Sequence, residues 1–294
     1  MSRCVLTGAS GFIGSHLLAL FAPDDEVVCA GRRPPDAARC PARVTHVPLD
    51  FTGPWDPARL PARADTVVHL AQSEHYRDFP ARSREIFATN VDSTARLLDY
   101  ARSAGATRFV LASSGGIYGS GGRAFTEDDV IRPAGELGFY LGTKFCSEIL
   151  AESYHGLFHV VVARFFFVYG PGQRPWALVP RLVRSVAEGL PVVLDGERGI
   201  RINPLYVADA ARALAGCLAL DASHKLNLAG PQALHIRDMA EAMGRRLGRE
   251  PVFERRDSGR AGDIVGDTRA MARVLGPPRV AFDEGLGLYL DSLG

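Results

Sequence analysis

Short β-branched runs alternate with longer stretches of helical spacing through the first two-thirds of the chain. Residues 4–7, 26–30, 44–49, 66–70, 108–112 and 159–165 read as strands. Between them, residues 15–21, 82–103, 140–154 and 176–188 repeat apolar side chains at helical intervals, as in Ile86, Val91, Ala95 and Leu98. That alternation predicts parallel βαβ units, and right-handed crossovers place the helices on both faces of one doubly wound α/β sheet. The last third changes character. Short elements at 226–228, 236–247 and 251–254 are broken by turns at Gly230-Pro231 and Gly276-Pro277-Pro278. They are expected to form a smaller cap on the carboxyl edge of the sheet, with a helix at 207–218 returning to pack on it. The division expected is 1–170, plus a returning segment at about 205–220, for the sheet, and 171–294 for the smaller substrate-binding region.

Composition narrows the class further. The 294 residues are 47% hydrophobic and 23% charged, with 34 Lys plus Arg against 33 Asp plus Glu and a net charge of +1. There is material for a core, no disorder signature, and no global field to draw the chain to nucleic acid or an anionic membrane. The apolar run at 160–168 is interrupted by Arg164 and is too short to span a bilayer. The N-terminus has no signal-peptide pattern, so a cytoplasmic protein is expected. Five scattered cysteines without a C-x-x-C pair indicate neither a disulfide framework nor a metal site, and read as small buried or neutral thiols.

Candidate chemistry begins directly after the first strand, at Thr7-Gly8-Ala9-Ser10-Gly11-Phe12-Ile13-Gly14. Gly8, Gly11 and Gly14 permit a tight turn, close approach of a pyrophosphate and close helix packing, while the following helix offers free N–H donors. The second strand ends in Gly31-Arg32-Arg33, with no carboxylate where one would read a ribose hydroxyl. Guanidiniums at that place suit a 2′-phosphate, so Arg32 and Arg33 predict NADP(H) in preference to NAD(H). Asp50 and Phe51, after the third strand, are in position to flank the adenine.

Tyr140 and Lys144 stand four residues apart, on one face of a predicted helix. Bringing a phenol from about 10 toward 7 takes about 4 kcal/mol, which a lysine charge near 4 Å supplies at an effective dielectric of 20. Tyr140 is thereby a candidate general acid and base. Upstream, the strand at 108–112 runs into Ser113-Ser114-Gly115-Gly116, where an open sheet carries its ligand crevice, and Ser114 is placed to bind the substrate oxygen.

Taken with Val68-His69-Leu70-Ala71, Thr89-Asn90-Val91, Tyr118-Gly119, Val168-Tyr169-Gly170-Pro171-Gly172 and Tyr206-Val207-Ala208-Asp209, these residues resemble an extended short-chain dehydrogenase/reductase of the NAD-dependent epimerase/dehydratase family, nearly end to end. The resemblance implies a Rossmann domain, hydride exchange at a nicotinamide, Tyr140 as general acid/base, Lys144 on the nicotinamide ribose and Ser114 on the reacting oxygen. By motif position it places Phe12, Ile13, Leu70, Ala71, Asn90 and Phe166 along the cofactor, with His69 as a structural histidine beneath it. Ser73, Ser114, Phe167 and Arg174 are the candidate substrate contacts. The resemblance also implies a homodimer in which 82–103 and 140–154 pair with their mates as a four-helix bundle.

The chain departs from the pattern at two places. Dehydrating and decarboxylating members carry acidic or hydroxyl groups directly after the catalytic hydroxyl, where this chain has Gly115 and Gly116; His75, in a nearby loop, is an alternative source of a second acid/base group. Nucleotide-sugar enzymes of the family usually have Asn at the place of Phe167 and Arg at the place of Ile202, with Arg201 one residue off and Arg174 nearby. The function expected is NADPH-dependent reduction of a keto group on a small, nucleotide-sugar-like substrate. The alternatives are a nucleotide-sugar 4-epimerase with tightly held NAD, and a non-catalytic dinucleotide sensor on the same fold.

Overall fold

The predicted strands assemble into one seven-stranded sheet in the computed structural model, which describes residues 2–131, 134–257 and 262–294. They are β1 (Arg3–Thr7), β2 (Glu26–Gly31), β3 (Arg43–Pro48), β4 (Thr66–His69), β5 (Arg108–Ser114), β6 (His159–Phe165) and β7 (His224–Leu228). Their order is β7-β6-β5-β4-β1-β2-β3. The pairs β2–β3, β1–β2, β1–β4 and β4–β5 are parallel. Because β1 is flanked by β2 on one side and β4 on the other, the winding reverses there, and a crevice opens beyond the carboxyl ends of β1 and β4. This is the expected Rossmann-like α/β core. Residues 226–228, expected in the smaller region, instead complete the edge strand β7.

The chain divides into two units, one of Met1–Ile117, Ile131–Arg164 and Ala211–Leu226, the other of Tyr118–Val130, Phe165–Ala210 and Asn227–Gly294. In the first, α1 (Phe12–Leu18) follows β1, and the helical run after β4 is split into α2 (Ser83–Phe87), a π turn (Ala88–Asp92) and α3 (Ser93–Ser103). The sequence predicts one unbroken helix here. The wider π turn takes an extra residue and so advances the buried face. Leu97, Leu98 and Ala101 point inward, whereas Ala95, expected on that face, is exposed. Val5, Val28, Val67 and Phe109 from the sheet close on Leu97 and Leu98 to form the core. The helix α4 (Ala134–Glu152) is interrupted at Gly138 (φ 68°), two residues before Tyr140.

The second unit has its own core. Leu182 and Val183 of α5 (Leu178–Glu188), Met239 and Met243 of α7 (Ile236–Leu247), and Phe282 and Leu286 of α9 (Phe282–Asp291) bury their side chains with Tyr169 and Ile202. Asp209, in the first turn of α6 (Val207–Cys217), accepts the backbone N–H groups of Arg279 and Val280 at 2.9 and 2.8 Å. Tyr169 donates its hydroxyl to the Phe282 carbonyl at 3.2 Å, and a Cβ on Gly285 would collide with that hydroxyl. The short helix α8 (Arg269–Leu275) lies between these anchor points in sequence.

Among the described residues no helix is long and apolar enough to cross a membrane. The five cysteines are free. Cys4, Cys29 and Cys217 are buried, and burial pushes the Cys29 and Cys217 thiols up to about 12. Cys146 stands exposed on α4.

Candidate active site

The turn after β1 is built around atoms that tolerate no side chain. Gly8 has φ 74°, and a Cβ there would lie 2.7 Å from the Ala71 nitrogen, across the switch point at the end of β4. A Cβ on Gly14 would overlap the Gly8 carbonyl oxygen. Gly11 starts α1 without a side-chain cap, and the first turn, which holds Phe12 and Ile13, contains no acidic residue. Such an end has unpaired N–H donors and a positive partial charge. Leu70 and Ala71 are held against β1 by bonds to the Thr7 carbonyl (3.3 Å) and Thr7 Oγ1 (3.1 Å). Thr89 Oγ1 and Ser113 Oγ, both buried, have no hydrogen-bond partner within the chain. A glycine cradle, an uncapped helix start and spare buried hydroxyls fit a dinucleotide's phosphates and riboses. Gly14→Ala is expected to cost about 1–3 kcal/mol from overpacking alone, seen as a lower urea midpoint.

Beside the cradle, His69 is fully buried between Thr7 Oγ1 (2.7 Å) and Ser93 Oγ (3.2 Å). Burial and then the Lys144 charge push it down to about 3, so it is a neutral structural group. Asn90 sits in the π turn and joins three segments. Its Oδ1 accepts the Ser73 N–H (3.1 Å), its Nδ2 donates to Thr143 Oγ1 (2.9 Å), and its carbonyl accepts from Ser147 Oγ (2.8 Å). Ser73 is itself buried, donating its hydroxyl to Glu85 at 3.2 Å. Asp50 is exposed and accepts from Thr52, whereas Phe51 turns into the core, edge-on to Trp55.

The arginines after β2 are placed differently from each other. Arg32 donates to Glu74 Oε1 at 2.7 Å, and Arg33 is exposed. Glu74 thus brings a carboxylate to the end of β2, where the local sequence has none. An anionic group approaching Arg32 must compete with the Glu74 carboxylate for the guanidinium.

Ser114, Tyr140 and Lys144 lie on β5 and α4 of the same unit. The Gly116 N–H donates to Ser114 Oγ at 3.2 Å, occupying a lone pair and leaving the hydroxyl proton to be given. A Cβ on Gly116 would press on Leu141 at 3.0 Å. Lys144 is buried and donates to the Ala112 carbonyl at 3.1 Å; burial pushes its ammonium down to about 8, against the opposing pull of Glu148. Tyr140 donates its hydroxyl to Gln72 Oε1 at 3.1 Å and packs its ring 4.6 Å from that of Tyr76. Burial first, then Tyr76, hold the phenol above its ordinary value, against the opposing effect of Gln72. The sequence expectation that Lys144 alone draws it toward neutrality is not met in this arrangement, in which the ammonium is turned to a backbone carbonyl.

Sequence reasoning missed Gln72, Tyr76 and the buried pair Arg164–Glu148. Glu148 lies one turn beyond Lys144, and its Oε2 accepts from Arg164 at 2.6 Å, both side chains 1% exposed. The signal available was an arginine inside an apolar strand. His75 pairs with Asp78 at 2.8 Å on the exposed loop after β4.

In the second unit, Phe166 is buried against Tyr118 and the face of Gly266. Phe167 has φ 44°, the left-handed region that asparagine tolerates and a bulky ring does not, which accounts for the residue expected there. Ile202 is fully buried in the core, while Arg201 faces the other way and pairs with Asp263 at 3.0 Å. Arg174 lies over the Trp176 ring at 5.9 Å.

Residues 4–229 match the NAD dependent epimerase/dehydratase family. The chain is 30% identical to a dTDP-glucose 4,6-dehydratase of Streptomyces griseus over 307 residues, spanning 97% of this chain and 92% of that one. Its fold is similar to that of MoeE5 in complex with UDP-glucuronic acid and NAD, with TM-score 0.83, 30% identity and coverage of 99% and 98%. It is also similar to a Thermus thermophilus UDP-glucose 4-epimerase in complex with NAD, with TM-score 0.81, 26% identity and the same coverage. These findings correct two expectations. The preference for NADP(H) over NAD(H) is overturned, since both solved relatives hold NAD. NADPH-driven keto reduction falls with it, because the relatives include a dehydratase and an epimerase that holds NAD. The physical reason is visible in the Glu74 carboxylate on Arg32.

Proposed function

The chain belongs to the NAD dependent epimerase/dehydratase family, and we propose that within it the chain is a nucleotide-sugar 4-epimerase that keeps its NAD through turnover. The observation that carries this reading is the pair Gly115-Gly116 behind Ser114. Loss of water from a sugar needs a second acid/base group beside the tyrosine, and glycines transfer no protons. Inversion at one carbon needs none. A UDP- or dTDP-linked hexose is the substrate class that the relatives support.

The glycine cradle of Gly8, Gly11 and Gly14 would hold NAD, which would supply hydride acceptance and return at the sugar carbon. The chain's own work is proton handling. Tyr140 acts as the phenolate: it takes the proton of the sugar hydroxyl as its carbon is oxidised, becoming the neutral phenol, and restores that proton to the same oxygen when the carbon is reduced on its other face, so protons and electrons balance over the cycle. Ser114, its lone pair fixed by Gly116, donates to that oxygen and meets charge as it develops. Lys144, anchored on Ala112, holds a positive charge one turn from Tyr140 for the ribose.

To test this, the purified chain is denatured and its released nucleotide identified by mass, and the intact protein is incubated with UDP-glucose, UDP-glucuronic acid and dTDP-glucose in D2O. The expected result is retained NAD and inversion at C4 without deuterium at carbon. A 4-keto-6-deoxy product, or consumption of added NADPH, overturns it.

We further propose a homodimer in the cytoplasm, a reducing setting that five unbridged thiols suit. Phe87 on α2 and Ile149 on α4 are each 50% exposed, apolar surface that a second copy would cover. Sedimentation is expected to give twice the chain mass, and a monomer at working concentration removes the idea.

A further inference from the structure

Gln72 has no role in the reaction as derived so far, yet its amide is the hydrogen-bond partner of the Tyr140 hydroxyl. The backbone beside it is fixed, because Asn90 bonds both the Ser73 N–H and Thr143 of α4. The Gln72 side chain itself is exposed, so its amide turns without displacing packed neighbours. A phenol needs an acceptor when protonated and a donor when ionised, and a carboxamide carries both at one end. The other titratable and charged groups around Tyr140 are Tyr76, whose ring packs on it from the loop after β4 with Arg77 5.4 Å from the Tyr76 ring, and Lys144 on its own helix, with Glu148 a turn beyond. His75 on that loop is paired with Asp78, and the Lys144 ammonium is directed to Ala112.

We propose that Gln72 is a positioning residue that follows the Tyr140 proton: Oε1 accepts from the hydroxyl, and a half-turn of the amide presents Nε2–H to the phenolate. The phenolic oxygen thereby stays in one place through both proton states. This rests on Tyr140 being the acid–base group proposed above. Because a hydrogen bond to a charged oxygen is stronger than one to a neutral hydroxyl, the amide favours ionisation, and its removal disfavours it.

The test places 3,5-difluorotyrosine at position 140 of the full chain with its retained nucleotide, so that the ring ionises in a range the fold tolerates, and follows it by fluorine NMR against pH. In Gln72→Met, near in shape but without hydrogen bonds, half-ionisation is expected about one pH unit higher, a tenfold smaller phenolate fraction below it. Gln72→Glu keeps an acceptor, removes the donor and adds like charge, and moves it further in the same direction. If Gln72 only accepts from the hydroxyl, Gln72→Met moves half-ionisation downward; if the two are uncoupled, nothing moves. Either result overturns the proposal. No turnover enters the readout, so a Tyr140→Phe variant that still epimerises would remove the functional reading while leaving Gln72 to be judged by the titration.

Discussion

Tyr140→Phe is expected to lower kcat by about 10²–10⁴-fold, the range a positioned proton-transfer group contributes, with little change in folding stability. The separation follows from where the hydroxyl sits. In the resting chain its bond goes to the exposed amide of Gln72, and losing such a bond costs about 1 kcal/mol at most. The ring, with its contact to Tyr76, is retained in phenylalanine. Lys144 keeps its bond to Ala112, so its ammonium is undisturbed. Steady-state rates on the epimerised sugar, compared with thermal midpoints, check both halves. A variant within a few-fold of the parent rate would remove Tyr140 from proton handling.

Arg164→Met is expected to destabilise the fold by about 3–5 kcal/mol, because it leaves the Glu148 carboxylate buried without its partner. Arg164 Nε also reaches both Glu148 oxygens, at 3.1 and 3.2 Å, so the pair is bidentate, and both side chains are buried. The double variant Arg164→Met/Glu148→Leu removes both charges and is expected to recover most of the loss, since a desolvated ion pair and a packed apolar pair of similar volume are close in energy. Urea midpoints of the two single variants and the double close the cycle. A single-variant cost below about 1 kcal/mol would mean that water or another group reaches Glu148.

What the sequence disclosed was local and periodic. The glycine turn, six of the seven sheet strands and the Tyr140–Lys144 spacing are each contained within a few residues, and the structure places them on β1, the sheet and α4. The π turn at Ala88–Asp92 was hidden because residues on either side keep helical spacing, and only the exposure of Ala95 reveals the added residue. The NADP(H) expectation failed for a related reason. Arg32 and Arg33 are adjacent in sequence, but Glu74, which pairs with Arg32, is 42 residues away in the loop after β4. Gln72 likewise reaches Tyr140 across 68 residues. Phe167 shows a third kind of gap: its left-handed backbone is set by the path between β6 and the Val168–Tyr169 strand, and no property of phenylalanine announces it.

The attachment of the last helix bears on how this chain can diverge. The match to the family ends at residue 229, yet Asp209 and Tyr169, inside it, grip residues 279–282 beyond it. What they hold is backbone: two N–H groups and a carbonyl, with Gly285 admitted because it brings no side chain. A fastening of that kind is blind to spelling. Outside the side chains that enter the core, such as Phe282 and Leu286, the terminal segment can be rewritten and still be returned to the same berth, so its exposed wording is free to drift while its address is inherited.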